Sequence, residues 1–215
     1  MSLTAFKKIF ISKLLDKISF AGVKYNSSLD GFQIKNKNGW DLFQVLFLNY
    51  KDFYTLNPCV LVRVDEVENL FHMISDFELK YQKGTPTIGI AIEKLMKKPA
   101  SERIVLDSED AVDPAVEACS EMFQKTALPF FNQYNNLAEI DKAINDHEIG
   151  SQLTGQIYYG FKGIILAHLT KRKNYHDLEK KYRAHYERLD NGFYLPTFEK
   201  LLALLKKENE KLSAK

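Results

Sequence analysis

Alternation of apolar and polar residues is strongest between Phe32 and Val64, where two strand-like runs flank Asn38-Gly39 and a third begins near Tyr54. Asn and Gly tolerate the positive φ that both central residues of a type I′ turn require, so the dipeptide predicts a two-residue hairpin. With Asn38 and Gly39 at its centre, Lys37 faces Trp40 and Phe32 faces Val45. Because side chains alternate across a strand, this register puts Phe32, Ile34, Phe43, Val45 and Phe47 on one face, the expected core side. The other face carries Gln33 and Lys35 on the first strand but Trp40, Leu42, Gln44, Leu46 and Leu48 on the second. Apolar only in its middle, that face calls for partial cover by a helix, a partner or a ligand.

A helical period precedes the hairpin: Phe6, Phe10, Leu14 and Ile18 fall four apart within residues 4–20, with lysines on the remaining surface. After it, Pro58 has no N–H to donate and belongs at an edge, a bulge or a strand start, so the regular part of the third strand is expected from Cys59 to Val64. Asp65 with Glu68 reads as a capping pair opening a helix with Val67, Leu70, Phe71 and Ile74 on its stripe. From Thr87 to Glu93, Ile88, Ile90 and Ile92 alternate with Thr87, Gly89 and Ala91, a strand whose small face admits a closely packed helix or a ligand. A lysine-rich link through Lys97, Lys98 and Pro99 leads to a short strand at 103–107. The acidic run that follows opens a helix bearing Val116, Cys119 and Phe123, with Pro129 as its expected stop. Asn136 and Glu139 cap a helix at 137–147. Three further stripes, at Phe161–Leu169, Tyr175–Leu189 and Phe198–Leu205, make the rest of the chain helical.

These elements predict an α+β fold: a mainly antiparallel sheet of about five strands backed by helices over residues 1–150, and a helical region over 151–215 packed on it. A hydrophobic fraction of 45% and a charged fraction of 27% suit a folded chain, and a formal charge of +2 gives no general affinity for nucleic acid. Cys59 and Cys119 stand far apart with no metal spacing and read as reduced core thiols. No apolar run is long enough to span a membrane and no leader is apparent, so a cytoplasmic location is expected.

Candidate chemistry is sparse. Glu68, His72 and Asp76, spaced four apart, are expected to form a solvated helix face, with proton transfer or metal binding as the sharper alternative. Between Lys171 and Arg188, Lys171, Arg172, Lys173, Lys180, Lys181, Arg183 and Arg188 outnumber Asp177, Glu179 and Glu187. With Tyr175, Tyr182 and Tyr186 interleaved, this segment is the candidate nucleic-acid surface, although the tyrosines sit on the helix's own apolar stripe. The carboxylates from Asp107 to Glu121 suit the first turns of a helix better than a metal. Gly160-Phe161-Lys162-Gly163 lies in an apolar helical pattern and lacks a following Ser or Thr, and no phosphate-loop, nucleophile-elbow or zinc-protease motif occurs. No cofactor is called for.

The order of an amphipathic helix, a Gly31-Phe32 strand, the Gly39-Trp40-Asp41 return and Ala127-Leu128-Pro129-Phe130-Phe131 before a Leu137-led helix resembles small bacterial α+β domains of unknown function, some found beside toxin and immunity genes. The resemblance spans the first two thirds of the chain, implies a binding or inhibitory role, and carries no catalytic residues. The expected function is non-catalytic binding of a protein partner or a second copy through Trp40, Leu42, Gln44 and Leu46. The alternatives are a small-molecule site or enzyme pocket between sheet and helices near Gly89 and Ala91, and nucleic-acid binding through 171–188.

Overall fold

A computed structural model describes residues 3–97, 103–147 and 150–213, so the Lys98-Pro99 part of the lysine-rich link lies outside the described residues. The fold is α+β, with an antiparallel sheet ordered β1(Lys24–Asn26), β2(Gly31–Asn36), β3(Gly39–Asn49), β4(Tyr54–Val64), β5(Ile88–Ala91), and β6(Ile104–Leu106) also pairing with β4. The chain divides into two compact units. One comprises residues 1–62 and 89–133, the other 63–88 and 134–215, whereas the division expected from chain order falls at 150/151.

In the first unit the β2–β3 hairpin forms, but its register differs from the expected one by two residues: Phe32 faces Phe43, Lys35 faces Trp40 and Asn36 faces Gly39. The turn residues are therefore Lys37 and Asn38, neither at positive φ, while Gly39 takes φ 152°. The cause is Asn36, whose Oδ1 accepts the Asn38 N–H at 2.9 Å and starts the turn one residue early. A slip of two preserves the side-chain parity, so the faces survive. Phe32, Phe43 and Val45 are buried, and Ile34 and Phe47 half-buried at the margins.

This first face is covered by α1(Leu3–Ile18) and by a continuous helical stretch made of α5(Val112–Met122), a π turn at Phe123–Ala127 and α6(Leu128–Gln133). Phe10 meets Phe47 edge-on at 5.4 Å and Phe123 meets Phe43 at 5.5 Å. Lys13 pairs with Asp113 and Lys17 with Glu117, which uses the acidic run to clip α5 to the lysine side of α1. Pro129 does not stop the helix. The π turn precedes it immediately, and such a turn re-spaces the ladder where a proline has no N–H to offer.

Strand β4 is regular from Tyr54, earlier than expected. Pro58 lies between Leu56, the last described register partner of β6, and Leu61, against which β5's Gly89 packs. A Cβ on Gly89 would lie 2.2 Å from Leu61 Cδ2, so at Gly89 the space expected to take a packed helix or a ligand is filled instead by a β4 side chain. The strand expected to run to Glu93 ends at Ala91, and Ile92–Leu95 is a single helical turn, α4. Cys59 and Cys119 are buried free thiols, pushed up to about 11 and about 12 by burial. No described helix is long and apolar enough to cross a membrane.

Asp41 is the exception on the core face: it is buried, its Oδ2 accepts from Asn36 Nδ2 at 3.1 Å, and its Oδ1 has no partner among the described residues. Burial raises its pKa to about 6 from the ordinary 3.8. A carboxyl raised on folding favours the folded state below its unfolded pKa, and that contribution is lost as pH rises through about 4 to 6. Asp41→Asn is expected to raise stability at pH 8 by roughly 2–3 kcal/mol, and to change it little at about pH 3, where the carboxyl is mostly protonated in both the folded and the unfolded state. Urea denaturation of both proteins at the two pH values checks this.

Candidate functional site

The second unit is organised on α9(Gln156–Leu169), whose residues Gly160 to Ala167 are all buried, packed by α2(Asp65–His72), α7(Leu137–Asn145), α8(Gly150–Thr154), α10(Tyr175–Arg188) and α11(Leu195–Ser213). A helix that is apolar all round must be enclosed, and the one charge in this run, Lys162, is therefore enclosed too. Its side chain is 3% exposed, lies 4.3 Å from the Phe71 ring centroid and donates to Glu68 Oε1, which is fully buried. Burial lowers the lysine's pKa and the Glu68 charge opposes the shift.

Glu68 is satisfied on both oxygens. Thr87 Oγ1 donates to Oε1 at 2.9 Å and accepts the Val64 N–H at 2.9 Å, while Thr85 Oγ1 donates to Oε2 at 2.8 Å. Having spent its hydrogen there, the Thr85 hydroxyl accepts from Arg63 Nη1 at 2.9 Å and from His72 Nε2 at 2.7 Å. That requires the Nε2–H tautomer of His72, with Nδ1 accepting from Ser75 Oγ at 2.8 Å. Burial lowers the His72 pKa against the pull of Glu68. The expected solvated face is thus corrected: Glu68 and His72 are interior, and only Asp76, beyond the helix end, is exposed. Asp65 does not cap its helix by a side-chain bond; its Oδ1 accepts from Arg63 Nε at 2.6 Å.

Gly160 and Gly163 are not a phosphate loop. A Cβ on Gly163 would lie 2.2 Å from the Tyr182 hydroxyl, and one on Gly160 2.6 Å from the Tyr186 ring. The space lets the Tyr186 hydroxyl accept the Phe161 N–H at 2.9 Å and donate to the Ile157 carbonyl at 2.8 Å, inserting itself into the α9 ladder. Tyr182 donates to Asn145 Oδ1, and Asn145 Nδ2 donates to Asp141 and to the Gly163 carbonyl. Two of the three tyrosines of the candidate nucleic-acid surface, Tyr182 and Tyr186, are therefore core.

The C-terminal end of α9 is closed by paired bonds, Lys171 N to the His168 carbonyl at 3.1 Å and Arg172 N to the Ala167 carbonyl at 2.9 Å. This closure needs a left-handed residue, normally glycine, and Lys171 supplies it at φ 54°. Arg172 locks the turn to α7 through Asp141 at 2.5 Å and a two-pronged bridge to Asp146 at 2.6 Å.

Beside this turn, α9, α10 and α11 enclose a cleft of about 700 Å³. Its apolar wall is Ala167, Leu202 and Ala203 with the half-buried Tyr175 ring, and its polar wall includes His168, Lys171 and Lys206. Arg183 also lines it but is engaged by Glu199 at 2.7 Å and Glu179 at 3.0 Å. His168 lies 6.5 Å from Tyr175, has no hydrogen-bond partner among the described residues, and has its pKa lowered by burial, against the nearby carboxylates of Glu208 and Glu66. No group of three or more metal-ligating side chains occurs among the described residues.

The sequence-predicted residues distribute unevenly over these features. Trp40 and Leu42 are buried at 7% and 1%, with Leu42 packed over Gly31, so they offer no free surface. Gln44 donates to the Leu29 carbonyl at 2.8 Å, and of the four only Leu46, at 37%, is exposed. Of the basic set, Lys171 and Arg172 line the cleft together with Arg183. Lys173 and Lys180 are exposed, and Lys181 donates to the Tyr159 hydroxyl at 3.0 Å. His168 was read as part of the 161–169 helical stripe and, with His176 and His185, of the basic region, and Lys206 was not singled out by spacing. Lys162 could have been: a lone charge inside an uninterrupted apolar run implies a buried partner.

Comparison with protein-family models, curated proteins and solved structures finds no match for the chain.

Removing one partner of a buried ion pair leaves the other charge unpaired, at a cost of about 3–5 kcal/mol. Lys162→Met is expected to lose stability on that scale, and Lys162→Met combined with Glu68→Gln to recover most of it. A double-mutant cycle by chemical denaturation measures the coupling.

Proposed function

We propose that the chain is a non-catalytic binding protein and that the cleft beside the α9 C-terminus is where it holds a small molecule. One observation carries this reading. Lys171 occupies a left-handed position that glycine fills without strain, and its side chain belongs to the cleft wall. Such strain costs about 1–2 kcal/mol and concentrates at functional positions. The position is held from behind by Arg172, Asp141 and Asp146, so the lysine is presented by a rigid turn. A binding role is also what the resemblance to domains found beside toxin and immunity genes implies. The residues lining the cleft belong to α9, α10, α11 and the turn after α9, and do not include Gly89 or Ala91, near which a pocket was expected.

A second reading, protein binding on the sheet, keeps one specific support. Phe47 is on the core face through Phe10, and Tyr54 touches Phe47 at 5.5 Å, so Leu46 and Thr55 point the other way; Val105 is the register partner of Thr55. Leu46 and Val105 are 37% and 46% exposed, on the same face as Thr55 Oγ1 and Asn57 Oδ1, buried atoms with no hydrogen-bond partner among the described residues. The surface is therefore the outer end of that face, not the Trp40 end. If a second copy docks there, Leu46→Arg dissociates the dimer in sedimentation velocity. A wild-type protein that sediments as a monomer at the highest soluble concentration removes the homodimer.

For the cleft, Lys171→Gly is expected to raise stability by about 1 kcal/mol, because it relieves the left-handed strain, while weakening ligand binding. Fragment screening by protein-observed NMR checks both sides. Hits that shift His168, Tyr175 and Ala203 in the wild type and are lost in Lys171→Gly support the site, and hits that map elsewhere overturn it.

A further inference from the structure

We infer that the ligand class of this cleft is an organic acid with a flat apolar body, and that His168 takes up a proton as the acid binds. The inference rests on the binding reading of the cleft and adds its chemistry. Arg172 is committed to Asp141 and Asp146, and Arg183 to Glu179 and Glu199. Glu179 also lies 3.5 Å from His176 Nδ1. After these internal pairs, Lys171 and Lys206 are the lining cations without an ion-pair partner among the described residues, and both carboxylates of the lining are occupied. Lys171 and Lys206 are thus the two cations of the lining left to meet a ligand, and an anion is the ligand they fit.

The rest of the wall selects the anion's body. Ala167, Leu202 and Ala203 are small or aliphatic, and the Tyr175 ring is desolvated enough that its hydroxyl is pushed up to about 12. A bare inorganic ion leaves that apolar surface unused, whereas a flat ring or short hydrocarbon covers it. An extended polyanion finds fewer cations along α10 than the sequence offers, since Lys181 already faces the Tyr159 hydroxyl and Arg183 two carboxylates.

His168 gives the site its proton linkage. On α9 it stands near Lys171 and Arg172; from α10 the cleft adds Tyr175, His176, Glu179 and Arg183, from α11 Glu199 and Lys206, and the carboxylates of Glu208 on α11 and Glu66 on α2 act on it from nearby. Burial keeps the ring neutral at pH 7, and no described group hydrogen-bonds it. An anion placed in the cleft favours the protonated ring, so by linkage binding strengthens as pH falls through the histidine range.

Benzoate, benzamide and inorganic phosphate serve as probes, titrated into the whole protein with protein-observed NMR. Benzoate is expected to shift His168, Tyr175 and Ala203 and to bind at least tenfold more tightly than benzamide, with phosphate weaker than benzoate. Its affinity is expected to rise several-fold between pH 8 and pH 6, and the rise to vanish in His168→Gln, whose fold is checked by its spectrum. Equal binding of benzoate and benzamide in the cleft overturns the acid assignment and leaves the binding site standing. A pH-independent benzoate affinity, or a pH effect retained in His168→Gln, overturns the role of the histidine. Shifts from every probe lying outside the cleft overturn both the inference and the binding reading beneath it.

Discussion

The buried pair of Glu68 and Lys162 is the constraint on which the second unit depends. Taking two charges out of water is expensive, and the attraction between them repays the cost only when the remaining lone pairs and protons are also satisfied. Here they are: two threonine hydroxyls complete the carboxylate and an aromatic face supports the ammonium. The pair joins three segments that no local sequence preference would bring together: α2, the stretch around Thr85 to Thr87, and α9. A mispacked arrangement of these segments leaves an unpaired charge in an apolar interior. The interaction therefore supplies discrimination between arrangements as much as net stability.

From that anchor, order passes along α9 by contacts of a different kind. Two glycines bring α10 close enough for tyrosine hydroxyls to bond backbone and Asn145, and Asn145 shares Asp141 with Arg172. The last turn of α9 is thus fixed from within and from α7. The cleft beside it inherits a rigid wall from a buried network that never touches its contents.

Much of the architecture was legible in the sequence because it rests on periodicity. The stripe Phe6, Phe10, Leu14 and Ile18, the β2–β3 alternation, the Asn136 cap, which accepts the Glu139 N–H at 3.0 Å, and the three C-terminal helices all follow from local pattern. What failed was decided by single side chains or distant partners. Asn36 moved the turn through one hydrogen bond, and a π turn carried the helix through Pro129. Glu68 was read as solvent-facing because its partner lies 94 residues later. The cleft was hardly legible at all: its walls are three helices whose residues share no spacing, and its most telling group, Lys171, looks in sequence like any other surface lysine. The sheet face around Trp40 was read correctly as apolar, but periodicity cannot say that the chain covers its own Trp40 and Leu42.

The interleaving of the two units sets an order of events during synthesis. Every residue of the first unit exists once Gln133 has been added, whereas residues 63–88 of the second are made early and completed only by residues 134–215. At about 5–20 residues per second, the Glu68 carboxylate waits on the order of 5–20 s for the lysine that will neutralise it. During that interval it stays hydrated, and with it the apolar face of α2 must stay open. The first unit can consolidate while this inserted loop is still unmated, and the second closes around it last.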